Sequence, residues 1–162
     1  MAADQPVAQT SICQLEDLCR LPTSNWRRSG RGLPTSGRSC GITIRFATAD
    51  DVSLLLQLIR ELAAYERAPD AVVATEDDLR RYGFGPEPRF EALLASLDGE
   101  PAGTALFHSR FSTWLGCPGL YLEDLYVTEA ARGLGVGRRL MARLAAIATE
   151  RGWGRIDFHV LD

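Results

Sequence analysis

The stretch that most constrains this chain is YLEDLYVTEAARGLGVGRRL, residues 121–140, where an apolar run passes through Arg132-Gly133-Leu134-Gly135-Val136-Gly137 directly into an amphipathic segment. Glycines let a backbone turn tightly and approach a ligand without Cβ interference, and the unpaired N–H groups of a helix start face negative charge. A strand, a glycine turn and a helix in that order build an anion cradle suited to a pyrophosphate. The spacing is not the dinucleotide fingerprint, because the third glycine follows the second by two residues, and no Gly-Lys-Ser/Thr follows as a nucleotide P-loop requires. Nicotinamide and ATP are disfavoured accordingly.

Around that turn the chain reads as alternating elements. ITIRF at 42–46 alternates as a strand, with Ile42, Ile44 and Phe46 on one face. Thr48 and Asp51 have capping-box spacing, and Val52, Leu55, Ile59 and Leu62 then recur at helical spacing to about Glu66. Thr75 and Asp78 repeat the signature ahead of a second helix, with Leu79 and Tyr82 as its apolar face and Gly83 as its end. The runs 90–97 and 102–109, joined by Asp98-Gly99-Glu100-Pro101, predict a hairpin, followed by a loop holding Trp114 and a strand over 120–127. A helix over 135–151 carries Val136, Leu140, Leu144 and Ala148 on one stripe, and a strand over 155–161 closes the chain. The order β, α, α, β, β, β, α, β predicts an α/β (mixed α+β) fold: neighbouring strands pair antiparallel, and the last strand, reached through a helix, runs parallel to the one before it.

With 46% apolar and 24% charged residues among 162, the chain supports one core. A net charge of −3 argues against a wholesale nucleic-acid binder or a cationic membrane-surface protein. Cys13, Cys19, Cys40 and Cys117 make no metal-ligand spacing with His108 or His159, so no metal is expected, and dispersed thiols point to a reducing, cytoplasmic setting. No apolar run is long enough to span a membrane, and the N-terminus lacks a signal-peptide pattern. Residues 1–40 have no sustained period and end in an Arg/Ser/Gly/Pro-rich segment, which reads as a disordered, low-complexity extension. The folded domain is expected over 41–162.

The glycine turn resembles the pyrophosphate motif Q/R-x-x-G-x-G/A of the GCN5-related N-acetyltransferase (GNAT) superfamily, which Arg132, Gly135 and Gly137 match. YLEDLYV, ELAAYER, EDDLRRYGFG and the Trp114-Leu115-Gly116 loop look like the spermidine/spermine (diamine) N-acetyltransferase branch, over Ile42 to Asp162. The resemblance implies the acyl-CoA N-acyltransferase fold, a mostly antiparallel mixed sheet flanked by helices. It implies direct transfer of acetyl from acetyl-CoA to a primary amine of a small diamine, polyamine or amine-bearing amino acid. The backbone of Leu125, Tyr126 and Val127 would hold the pantetheine arm and polarise the thioester. Arg132, Gly133, Leu134, Gly135, Val136, Gly137 and Arg138 would hold the pyrophosphate.

An alkylammonium must lose a proton to become a nucleophile, and its pKa is ~10.4, so a base is needed beside the thioester. Glu123 is the candidate: alternation puts it on the face of Tyr121 and Leu125, opposite Leu122, Asp124 and Tyr126. Asp124 reads as the structural member of that pair. The resemblance adds Tyr65, Glu66, Trp114, Asp157, Phe158 and His159 as substrate contacts; by residue type alone, Tyr65 and Glu66 suit a surface, His159 a core or edge, and Trp114 a packed loop. Arg138, Arg139 and Arg143 suit either the ribose phosphate of CoA or solvent. The segment from Gly41 carries eighteen acids against thirteen arginines, a balance that favours a cationic substrate.

The resembled family continues beyond the last strand into a further helix and two strands, including a tyrosine that protonates the departing thiolate. From that comparison the final strand is expected to be an exposed edge, with weak acetyl-CoA binding and slow turnover. The alternatives are a non-catalytic acetyl-CoA-binding or interaction module, and an arginine-rich arm that binds nucleic acid; the latter is disfavoured, as is a membrane partner. A homodimer is expected from the branch.

Overall fold

A computed structural model describes residues 9–14 and 41–160. Its strands are β1 (Gln9–Gln14), β2 (Ile42–Phe46), β3 (Glu91–Leu97), β4 (Glu100–Ser112), β5 (Cys117–Val127) and β6 (Arg155–Val160). Its helices are α1 (Val52–Tyr65), α2 (Glu76–Phe84) and α3 (Val136–Glu150). The strands form one sheet in the order β1-β6-β5-β4-β3-β2, antiparallel everywhere except the parallel β5–β6 pair. Both the element order from Ile42 onward and the parallel last pair agree with the sequence pattern.

Both capping boxes form. Asp51 accepts from the Thr48 N–H at 2.8 Å and from both guanidinium ends of Arg45 at 2.6 and 2.7 Å, and those bonds hold its carboxyl well below the usual carboxylate range. At α2, Thr75 Oγ1 accepts from the Asp78 N–H at 3.2 Å while Asp78 accepts from the Thr75 N–H at 3.0 Å. Gly83, expected to end α2, lies inside it; the cap is Gly85. Gly83 serves packing, since a Cβ there would sit 2.5 Å from the Phe90 ring. Tyr82, read as part of the apolar face, is exposed, which leaves Leu79 as the buried anchor.

Two cores lie on opposite faces of the sheet. On one, Val136, Leu140, Leu144 and Ala148 of α3 pack on Leu93, Ala105, Phe107, Leu120, Leu122 and Ile156. That stripe was legible as a helical period, and each of its large members stabilises the fold by about 1.5–3 kcal/mol through burial. On the other, Val52, Leu55, Leu56 and Leu58 of α1 pack on Ala92, Leu94, Leu106 and Tyr126. Phe46, expected to share the buried face of β2, is 37% exposed and lies under the Arg143 guanidinium.

Gln9–Gln14 corrects the expectation that residues 1–40 have no regular structure. This segment runs antiparallel to β6 from Gln9 opposite Val160 to Gln14 opposite Arg155, so β6 is not the exposed edge foreseen for it. A bare strand edge offers a row of unpaired N–H and C=O groups, and a short Thr- and Ile-containing segment satisfies them. Local periodicity carries no trace of so distant a partner. The arginine-rich segment, read as disordered or as a nucleic-acid arm, lies outside the described residues.

Candidate active site

The central strand β5 organises the site through two irregularities. The first is a bulge: Leu106 pairs with Asp124 and Phe107 with Leu122, leaving Glu123 as the extra residue. Simple alternation placed Leu122, Asp124 and Tyr126 on one face, and the bulge overturns that. Leu120 and Leu122 enter the α3-side core, whereas Tyr126, beyond the bulge, enters the α1-side core. The second is an early end to pairing: β5 and β6 are in register only from Leu120–Ile156 to Leu122–Phe158. Among the described residues, the edge of β5 beyond Leu122 that faces β6 has no strand partner, so backbone of Leu125, Tyr126 and Val127 lies along an unpaired edge that leads to the glycine turn. The Val127 carbonyl there accepts from Arg132 Nε at 3.2 Å.

At the end of that opening stands the cradle. Gly133 and Gly135 have φ of 78° and 90°, and a Cβ on either would meet nothing within 4 Å, so both turn the backbone beside open space. Gly135 caps α3, whose first-turn N–H groups have no intrahelical acceptors and point with the helix dipole toward that space. These features fit a diphosphate-bearing cofactor bound through the backbone. The neighbouring arginines divide: Arg138 is exposed, Arg139 donates to the Ile42 carbonyl at 2.9 Å, and Arg143 pairs with Glu150 at 2.9 Å. The latter two are engaged within the protein rather than free to reach a ribose phosphate.

On the face that α1 covers over β3 and β4, the sheet beyond the helix carries polar side chains. Glu123 Oε2 lies 3.8 Å from His108 Nε2, and the Tyr121 ring stacks beside His108 with centroids 5.1 Å apart. The Tyr121 hydroxyl bonds His159 Nδ1, and Arg110 lies 5.6 Å over the Tyr121 ring. Burial, then the Glu123 charge, pushes the Tyr121 hydroxyl above its ordinary pKa. Asp157 is 1% exposed, with Arg155 Nε 2.8 Å from its Oδ2 but off the N–H axis, so charge rather than an aligned hydrogen bond holds the pair. Asp124 is lifted to about 6, first by burial and then by the Glu123 and Glu66 charges. Those three carboxylates make an acidic mouth between the C-terminus of α1 and β5.

The predicted residues are thus sorted. Glu66, Glu123, Asp157 and His159 do gather about this face, and Tyr65 joins the cradle to it: the Arg132 guanidinium sits 4.2 Å over its ring and 5.8 Å from that of Tyr126. Phe158 does not join them, because it alternates with Asp157 and packs into the α3-side core. Trp114 is 96% exposed on the turn between β4 and β5, so it is not the packed loop anchor that residue type suggested. His108, Arg110, Tyr121 and Arg155 escaped the sequence reading. The one available signal was a histidine interrupting the apolar run ALFHS.

Residues 55–162 match the model of the acetyltransferase (GNAT) family. The chain is 39% identical over 129 residues to the thialysine N-epsilon-acetyltransferase of Bos taurus, covering 75% of each chain. It is 42% identical over 112 residues to spermidine/spermine N(1)-acetyltransferase-like protein 1 of Homo sapiens, covering 65% of this chain and 16% of that one. Its fold matches a predicted acetyltransferase of Clostridium acetobutylicum solved with acetyl-CoA, with TM-score 0.61, 22% identity and coverage of 75% and 82%. An open-edged central strand running into a backbone anion cradle, together with the family match, defines an acyl-CoA-dependent acyltransferase. The chain belongs to the acetyltransferase (GNAT) family, and it is an acetyl-CoA-dependent N-acetyltransferase.

Proposed function

We propose that the acceptor is a primary amine of a small diamine, polyamine or amine-bearing amino acid, and that it enters at the mouth lined by Glu66, Glu123 and Asp124. The observation that carries this reading is the bulge, which sets Glu123 and Asp124 side by side at the point where β5 parts from β6. The identity with thialysine and spermidine/spermine acetyltransferases supports the same acceptor class.

Acetyl-CoA supplies the activated acetyl group when bound. Gly133, Leu134, Gly135, Val136, Gly137 and Arg138 hold its diphosphate through their N–H groups, Arg132 flanks it from its seat on Tyr65, and the backbone of Leu125, Tyr126 and Val127 lines the arm. Glu66 and Asp124 contribute negative potential for a cationic acceptor, and Glu123 is the carboxylate on which loss of the ammonium proton depends. Tyr65, Trp114 and His159 contact the acceptor, and Asp157, buried behind Tyr121, supports that face from beneath. A homodimer in the cytoplasm belongs to the same reading.

The test is an acetyl-CoA-dependent assay of thiol release with thialysine, spermidine, short diamines, ornithine and an aminoglycoside. Small diamines or amine-bearing amino acids are expected to be acetylated, and Glu123→Gln is expected to lower kcat/KM by about 100-fold or more near neutral pH. Thiol release with none of these amines would overturn the reading.

A further inference from the structure

We propose that His108 is the second half of the group that receives the acceptor amine, and that its Nε2 is the atom on which the ammonium proton lands. This rests on the acceptor site described above and assigns a role within it.

The ring's tautomer follows from its contacts. His108 Nδ1 lies 3.1 Å from the Ser109 carbonyl oxygen. A carbonyl only accepts, so Nδ1 carries the hydrogen and Nε2 of the neutral ring carries the lone pair. That lone pair faces Glu123 Oε2 at 3.8 Å. Two acceptors cannot bond each other, and the arrangement is completed by a donor that reaches both. An ammonium, with three N–H groups, is such a donor. The bulge turns Glu123 toward His108, and the Tyr121 ring, tilted 34° beside the imidazole, fixes its plane.

The charged and titratable groups facing His108 come from three strands. Glu123 and Tyr121 belong to β5, Arg110 lies two residues along β4 and over the Tyr121 ring, and Asp157 and His159 of β6 act through Tyr121. Glu123 is the nearest charge. Imidazole is ordinarily a stronger base than a carboxylate by ~100-fold in acidity constant, so the ring is the better resting place for a proton leaving an alkylammonium. In that step one N–H bond of the ammonium breaks and one Nε2–H bond forms. The electron pair stays on the amine nitrogen, and the new imidazolium pairs with Glu123 until its proton passes to solvent across the half-exposed ring.

The experiment is the pH profile of kcat/KM for thialysine at saturating acetyl-CoA, for the wild type, His108→Gln and Glu123→Gln. Glutamine at 108 keeps an acceptor but takes no proton. It is expected to cut kcat by about 100-fold, leave the amine KM nearly unchanged and abolish the acidic limb of the profile. Glu123→Gln is expected to exert its loss of kcat/KM mainly through a higher amine KM and to keep an acidic limb. Added imidazole should restore rate to His108→Ala, which separates chemistry from misfolding. A His108→Gln enzyme with wild-type kcat and an unchanged limb, or a His108→Ala enzyme as active as the wild type, would overturn this assignment while leaving the acceptor class intact. A wild-type chain that acetylates no amine would remove both.

Discussion

The two faces of β5 are built by different rules. On the α3 side Leu120 and Leu122 lie among apolar side chains from α3, β3, β4 and β6. On the other side, one residue away in sequence, Tyr121 and Glu123 sit in a polar group held by specific partners: His108, His159, Arg110 and the Arg155–Asp157 pair. A close-packed apolar face tolerates loss of a few methylenes at a cost that scales with the hole left behind. A buried polar face responds instead to the removal of a single partner, because the group left behind keeps its charge and loses its compensation.

Five variants would break or sharpen that contrast. Arg155→Ala strands the buried Asp157 carboxylate and is expected to cost about 3–5 kcal/mol, seen as a fall in the urea midpoint. The double change Arg155→Met with Asp157→Leu should recover most of it, and a single variant as stable as the wild type would show that the pair is dispensable. Leu144→Ala, on the apolar face, is expected to cost about 2–5 kcal/mol, with acetyl transfer unaffected in the fraction that remains folded.

Asp124→Asn tests the mouth. Its carboxyl binds a proton more tightly folded, at about 6, than the ordinary 3.8 of an unfolded chain, so its contribution is complete below the unfolded value and is lost as pH rises through 6. The asparagine variant should therefore gain stability relative to the wild type between about pH 4 and 7, reaching no more than roughly 3 kcal/mol. A difference independent of pH would refute that origin. Trp114→Ala should leave stability within about 0.5 kcal/mol, because the indole is exposed, while raising the amine KM.

The contrast also explains what could be read from sequence. The α3 stripe, the capping boxes at Thr48 and Thr75, the hairpin around Asp98-Gly99 and the glycine turn are local patterns, and each appeared in the structure at or near its expected place. The polar face was legible only in pieces. Glu123 was singled out, but its orientation depends on a bulge that alternation cannot reveal, and the same bulge moved Asp124 and Tyr126 to the other side of the sheet from Leu122. His108 becomes interesting only when β4 sets it across from Tyr121 and beside Glu123, a relation set by register. Phe158 failed as a site residue because its strand neighbours Asp157 and His159 point the other way.

The pairing of β1 with β6 has a consequence for how the molecule assembles. Strands β3 to β5 pair antiparallel with partners close in the chain, whereas Gln9 must find Val160 across almost the whole polypeptide. The entropy of closing so long a loop is met before the contact rewards it, so this ladder belongs late in folding, after β6 has been synthesised and has docked on β5. During synthesis the first strand of the sheet is the one that waits longest for its place.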